Sequence, residues 1–255
     1  MVFARLKAWW QPQPPVTERE WRQAAGALPV LGGLSAEEHA RLGALAQRFL
    51  REKSIEPVGG LALEQSMRLS IALQACLPIL NLGLDYYRNW YSVVIYPAGF
   101  VARHEYMAED GTIHVDSEPM VGEAWEQGPV VLSWEDIATG CELDGFNVIV
   151  HEFAHKLDML QGSINGLPPL HRNMSAQAWS GAFAAAYKDF CARVDAGEEL
   201  PLDDYAAESP AEFFAVLSEA FFEIPSQLHY CYPQVYRQLS LFYRQDPMPR
   251  LPVAG

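Results

Sequence analysis

The chain has 255 residues, of which 50% are hydrophobic, 12% aromatic and 20% charged. This composition excludes a disordered chain and gives room for one large domain or two small ones. Acidic residues outnumber basic ones 32 to 18, for a formal net charge of -14, the wrong balance for a general nucleic-acid binder or for a protein resting on an anionic membrane.

Residues 1–16 read as a flexible tail. Arg5 and Lys7 interrupt its apolar stretch and Pro12, Pro14 and Pro15 end it, so it is not read as a signal peptide. Phe3, Leu6, Trp9 and Trp10 could touch a membrane, but a frayed terminus is the simpler reading. Residues 17–84 read as a helical section. Thr17-x-x-Glu20 and Ser35-x-x-Glu38 fit the capping box that opens a helix. The second leads into Leu42, Leu45, Ala46, Phe49 and Leu50, an apolar stripe at helical spacing. A third helix is expected over Ala62 to Leu77. The apolar run from Ile71 to Leu84 contains Gln74, Pro78 and Asn81, too short and too interrupted to cross a bilayer. A soluble, cytoplasmic protein is the expectation. The four scattered cysteines, Cys76, Cys141, Cys191 and Cys231, agree with it: they form no CxxC pair and fit buried free thiols.

From Trp90 the pattern changes. Residues 91–96, 100–106, 112–116 and 129–134 read as strands. Helices follow: one from near Asp144 to before Gly162, with Phe146, Ile149, Val150, Phe153, Leu157 and Leu160 as its buried stripe, then Ser175 to Ala196, Ser209 to Glu223, and a last one after Pro233. Residues 85–255 therefore read as α+β, a small mixed sheet followed by helices, forming one compact unit with residues 17–84.

The helix near Asp144 carries His151-Glu152-Phe153-Ala154-His155. Histidines at i and i+4 stand one above the other on a helix face, so both imidazoles can reach one metal ion. Glu152 can then serve a metal-bound water without being a ligand. This is the HExxH metallopeptidase pattern, here inside an apolar helical frame. A catalytic zinc needs a third protein ligand. The position six residues beyond His155 is Gln161, so the metzincin pattern fails. Asp158 shares the face of both histidines, but positions i, i+4 and i+7 span roughly 10 Å of helix. It reads as a carboxylate behind a ligand or as a salt-bridge partner. The remaining candidate is the segment from Tyr205 to Glu223. Its Glu212 and Glu219 lie seven apart on one face of a strongly apolar helix, where a carboxylate is unusual unless paired or bound to metal. Ser209-Pro-Ala-Glu212 is also a capping box, so ligand and cap both remain open for Glu212.

The segments HEFAHKLDM, GEAWEQGPVVLSWEDI, YAAESPAEFFAVLSEAFFE and FYRQDP closely resemble the Mlc titration factor A family over about residues 28–247. That family is zincin-like and similar to the catalytic domain of anthrax lethal factor. The resemblance implies one zinc ion held by His151, His155 and Glu212, a gluzincin-type set. It implies Glu152 as general base and Tyr205, seven residues before Glu212, as the hydrogen-bond donor to the oxyanion. On local pattern alone Tyr205 is an ordinary tyrosine beside a helix start. The resemblance further implies a peptidase of aminopeptidase type acting on a peptide or protein, and a partner: the family takes its name from sequestering Mlc, a transcriptional repressor. Residues 129–134 could pair with an extended peptide or simply serve as a core strand. Glu123 and Glu126, in a Gly-rich segment, are candidates for holding a free amine or are plain loop carboxylates. Direct nucleic-acid and membrane binding are not expected.

Overall fold

A computed structural model describes residues 16–98, 104–107, 113–116, 128–139 and 142–251, with backbone alone for 104–107 and 113–116. Helix α1 (Glu18–Gly26) and helix α2 (Ala36–Glu52) both begin with complete capping boxes. Thr17 and Glu20 close the first, Ser35 and Glu38 the second, so each helix start satisfies two of its own orphan N–H groups. Strand β1 (Ser54–Pro57) follows, then α3 (Gln65–Cys76) and β2 (Ser92–Tyr96). Strands β3 (His104–Met107) and β4 (Ile113–Asp116) precede β5 (Val130–Ser133) and α4 (Trp134–Thr139). Helices α5 (Val148–Asp158), α6 (Ala176–Asp195), α7 (Pro210–Glu223), α8 (Pro225–Cys231) and α9 (Pro233–Tyr243) complete the chain.

The mixture of helices and a small sheet agrees with the expected class, but the sheet differs from the single mixed one. Among the described residues there are two sheets. One is three-stranded and parallel, in the order β1-β2-β5; the other is the antiparallel pair β3-β4. In the parallel sheet Ile55, Val93 and Val130 stand in one cross-strand row, and Pro57, Ile95 and Leu132 in the next. Ile55, Val93, Ile95, Val130 and Leu132 are buried on that face, as period-two alternation requires.

Several local expectations are corrected. Strand β1 has little sequence signal, since it has four residues and ends at Pro57. Trp134 opens α4 instead of closing a strand: Ser133 Oγ accepts the Asp136 N–H at 3.4 Å, an N-cap contact. Helix α5 starts at Val148, later than Asp144. Asp144 Oδ1 takes the Phe146 N–H at 3.0 Å, and Asn147 Oδ1 takes the Val150 N–H at 3.0 Å. The first contact makes a turn and the second caps the helix. Phe146 thus lies outside the helix and is 42% exposed, not part of the buried stripe. Helix α8 is hidden in the sequence because Pro225 and Pro233 look like breaks; each stands at the first turn of its own helix. Of the cysteines, Cys76 is buried, while Cys191 and Cys231 are free but only partly buried; Cys141 lies outside the described residues.

One hydrophobic cluster runs from Leu28 to Tyr243 and includes residues of α2, α3, the parallel sheet, α5, α6, α7 and α9. Phe153 fixes the inner side of α5 against Phe49, Tyr87 and Trp90, with ring centroids 5.0 to 5.8 Å away. The other side of α5 packs along α7. Helix α7 is buried throughout from Ala211 to Glu223, with Glu212 the one exception. No helix among the described residues is long and apolar enough to cross a membrane.

Candidate functional site

With Phe153 locked into the core, the helical period turns His151 and His155 toward α7. Their rings lie 4.8 Å apart, centroid to centroid. Helix α7 brings Glu212 to meet them. Its Oε2 is 3.0 Å from His151 Nε2 and 3.3 Å from His155 Nε2, and the two Nε2 atoms are 3.2 Å apart. Three lone-pair atoms thus form a nearly equilateral triangle. Ligand atoms about 2.0–2.1 Å from a tetrahedral ion stand roughly 3.3–3.4 Å from one another, so the donor set and its spacing fit a metal ion.

Of the two readings of Glu212, the capping box is only half formed. Ser209 Oγ accepts the Glu212 backbone N–H at 3.2 Å, which caps α7. The Glu212 carboxylate does not return to the cap; it faces the histidines. Burial works against the charge of Glu212, but the hydrogen bonds from His151 and His155 outweigh it and hold the carboxyl at about 2. Burial likewise opposes a charge on His151, yet its bonds to Glu212 and Glu219 push it up to about 10. Without metal the cluster holds together as a protonated imidazole between carboxylates, and a metal ion must displace that proton.

Glu219 has a contact the sequence did not resolve. Its Oε1 lies 2.7 Å from His151 Nδ1, and its Oε2 accepts the Asn147 backbone N–H. When the ring gives up a proton, Glu219 therefore keeps the remaining one on Nδ1 and leaves Nε2 to face Glu212. The signal was its place one heptad after Glu212; the missing element was the partner, which depends on how α5 and α7 are rotated. Asn147 continues the network. Its Nδ2 donates to Gln74 Oε1 at 2.9 Å and Glu223 Oε1 at 2.8 Å.

Tyr205 sits in a 3-10 turn, Asp204–Ala207, opened by Asp203 Oδ1 accepting its N–H at 2.9 Å. Its ring centroid is 6.1 Å from that of His151 and it is 44% exposed. Burial, then the carboxylates of Glu212, Glu208 and Glu152, push its hydroxyl up to about 12, so it stays a neutral donor. Glu152 is half-buried beside His151, and its charge acts on both His151 and Tyr205. The site so described brings together Glu152, His151, His155, Glu212 and Tyr205. Among the described residues Asp158 makes no salt bridge; its Oδ2 accepts the N–H groups of Asn165 and Gly166 at 2.9 and 2.7 Å. Glu123 and Glu126 lie outside the described residues.

The model of the glucose-regulated metallo-peptidase M90 family matches residues 3–244. The chain belongs to this family. Relatives in the M90 family include Mlc titration factor A of Serratia proteamaculans, 40% identical over 247 residues, covering 95% of this chain and 94% of that protein. Mlc titration factor A of Pectobacterium atrosepticum is 39% identical over 246 residues, covering 95% and 92%. That of Yersinia enterocolitica is 38% identical over 251 residues, covering 96% and 93%. A metallopeptidase family thus accounts for two histidines and a carboxylate gathered at metal-binding distance.

Proposed function

We propose that this chain is a zinc-dependent peptidase with a zincin-like fold, in which His151, His155 and Glu212 hold the ion. The observation that carries the reading is the triangle of His151 Nε2, His155 Nε2 and Glu212 Oε2, with edges of 3.0 to 3.3 Å. Two imidazoles and one carboxylate suit zinc. When bound there, zinc supplies Lewis acidity to a water and to the scissile carbonyl. Glu152 takes the proton of the attacking water and delivers it to the leaving amine. Tyr205, kept neutral, donates a hydrogen bond to the carbonyl oxygen as negative charge develops on it. Glu219 holds the His151 ring in the orientation the site needs.

The free edge of β5, unpaired among the described residues, suits an extended peptide adding alongside it. An aminopeptidase-type cleavage is the finer proposal. Residues 17–84 and 85–255 act as one unit in this reading, since β1 pairs with β2 and α3 packs on α5. The relatives' name, Mlc titration factor A, favours a second and compatible role: binding a repressor of the Mlc type in the cytoplasm, with the acidic surface meeting a basic DNA-binding protein.

Zinc content and turnover of an amino-acid anilide test the enzyme. Glu152→Gln is expected to keep its zinc and lose about 10²-fold or more in turnover, and Glu212→Ala to lose most of its zinc. Full activity in Glu152→Gln would sink the mechanism. Capture of the repressor by Glu152→Gln used as bait tests the second role.

A further inference from the structure

We propose that Asp158 is the acceptor for the Nδ1 proton of His155, the counterpart of Glu219 at His151. The inference rests on the metal-site reading above. If His155 turns its Nε2 lone pair toward the ion, its proton must sit on Nδ1. That nitrogen is buried and has no hydrogen-bond partner among the described residues. Asp158 is fully buried, and its Oδ1 likewise has no partner among the described residues. A buried donor or acceptor left unsatisfied carries its full desolvation cost, so two such orphans on one helix call for a common explanation.

Helix geometry supplies it. His155 and Asp158 are three residues apart on α5, where side chains are neighbours with Cβ atoms about 5–6 Å apart. Side chains lean toward the helix N-terminus, so Asp158 leans over the turn that carries His155. The other carboxylate oxygen is committed: Oδ2 takes the N–H groups of Asn165 and Gly166. This clamp fixes the carboxylate; the Leu167 N–H, which also bears on the Asp158 charge, is spent on Asn165 Oδ1 at 3.1 Å, so Oδ1 keeps no bonded donor among the described residues. Tyr243, which senses the Asp158 charge, spends its hydroxyl proton on Ser218 Oγ at 2.8 Å. The two atoms are not bonded to each other in the metal-free geometry; a small rotation of the imidazole as it turns Nε2 to the ion, or one bridging water, brings Nδ1–H onto Oδ1 and satisfies both orphans at once. Each zinc-facing imidazole then has its own carboxylate behind it, one from α7 and one from α5 itself.

Asp158→Asn separates this role from loop anchoring. The amide oxygen can still accept from Asn165 and Gly166, but the NH2 then faces Nδ1, donor against donor. The expected result is zinc affinity 10- to 100-fold weaker by chelator competition, with the melting temperature of the metal-free protein near that of the wild type. In zinc-loaded wild type labelled at histidine, proton NMR should show two strongly downfield Nδ1–H resonances, that of His151 on Glu219 and that of His155. Wild-type zinc affinity in Asp158→Asn overturns the inference. So does a spectrum in which only the His151 proton is shifted, and this second measurement stands even if the variant fails to fold. A wild type that binds no zinc overturns the metal reading itself, and this inference with it.

Discussion

Glu219 and Glu223 lie one turn apart on α7, and their surroundings set them different tasks. Glu219 faces His151. Glu223 instead accepts from Asn147 Nδ2 and, at 3.3 Å, from the Gly145 N–H. Burial, with Asp144 and Glu219 adding to it, pushes the Glu223 carboxyl up to about 8 against the hydrogen bonds of Asn147 and Gly145. An unfolded chain releases that proton near 4.5. Between the two values the folded state holds more protons than the unfolded one, so stability falls as pH rises. The contribution of Glu223 is complete below about 4.5 and is lost as pH climbs through 8. Glu223→Gln is neutral at every pH and can still accept from Asn147. Urea unfolding of both proteins at pH 5, 6.5 and 8 should therefore show the variant gaining on the wild type as pH rises. Parallel profiles would show that Glu223 ionises in the fold as it does in water.

At the scale of elements, what could be read followed the chemistry of helix starts. Thr17, Ser35 and Ser209 each announce a helix, and each accepts the predicted N–H; Ser175, read only as a helix start, caps its helix in the same way. His151, Glu152 and His155 were legible because their relation is carried inside one helix. Glu212 was legible only as an alternative, since its cap uses the backbone N–H and its metal reading uses the side chain. The sheet partition, the exposure of Phe146 and the partner of Glu219 were not legible, because each is decided by contacts between segments far apart in sequence. Gly166 is such a contact. It adopts φ +75°, and a Cβ there would stand 2.4 Å from the Pro210 carbonyl oxygen. Its N–H holds Asp158 and its carbonyl accepts from Trp179 Nε1 at 3.0 Å. Pro210 opens the helix that carries Glu212, so Gly166 is where the loop after α5 meets the start of α7. Gly166→Ala is expected to cost about 1–3 kcal/mol in urea unfolding and to weaken zinc binding by moving Glu212. Gly181→Ala is the control: it lies within α6 with open space around it, so it should be neutral or stabilise by about 0.5–1 kcal/mol.

At the scale of the whole molecule, the candidate metal site joins two helices that hold the core from opposite directions. Helix α5 is locked by Phe153 into the aromatic group of Phe49, Tyr87 and Trp90. Helix α7 is buried among α6, α8 and α9, with Phe214 against Trp179 and Phe242. The unfolded chain keeps His151 and His155 near each other but not Glu212, so a metal ion that needs all three binds the folded state selectively. Selective binding stabilises by mass action: free zinc at 100 times its dissociation constant is worth about 2.7 kcal/mol. For a chain of this size that corresponds to a rise of roughly 5–10 °C in melting temperature. The rise should disappear on chelation and be absent in His151→Ala and Glu212→Ala. It should also shrink as pH falls, because zinc must displace the proton that Glu212 and Glu219 hold on His151. Calorimetry with and without zinc at two pH values measures both effects. An equal zinc-induced rise in Glu212→Ala would place the ion somewhere other than between these two helices.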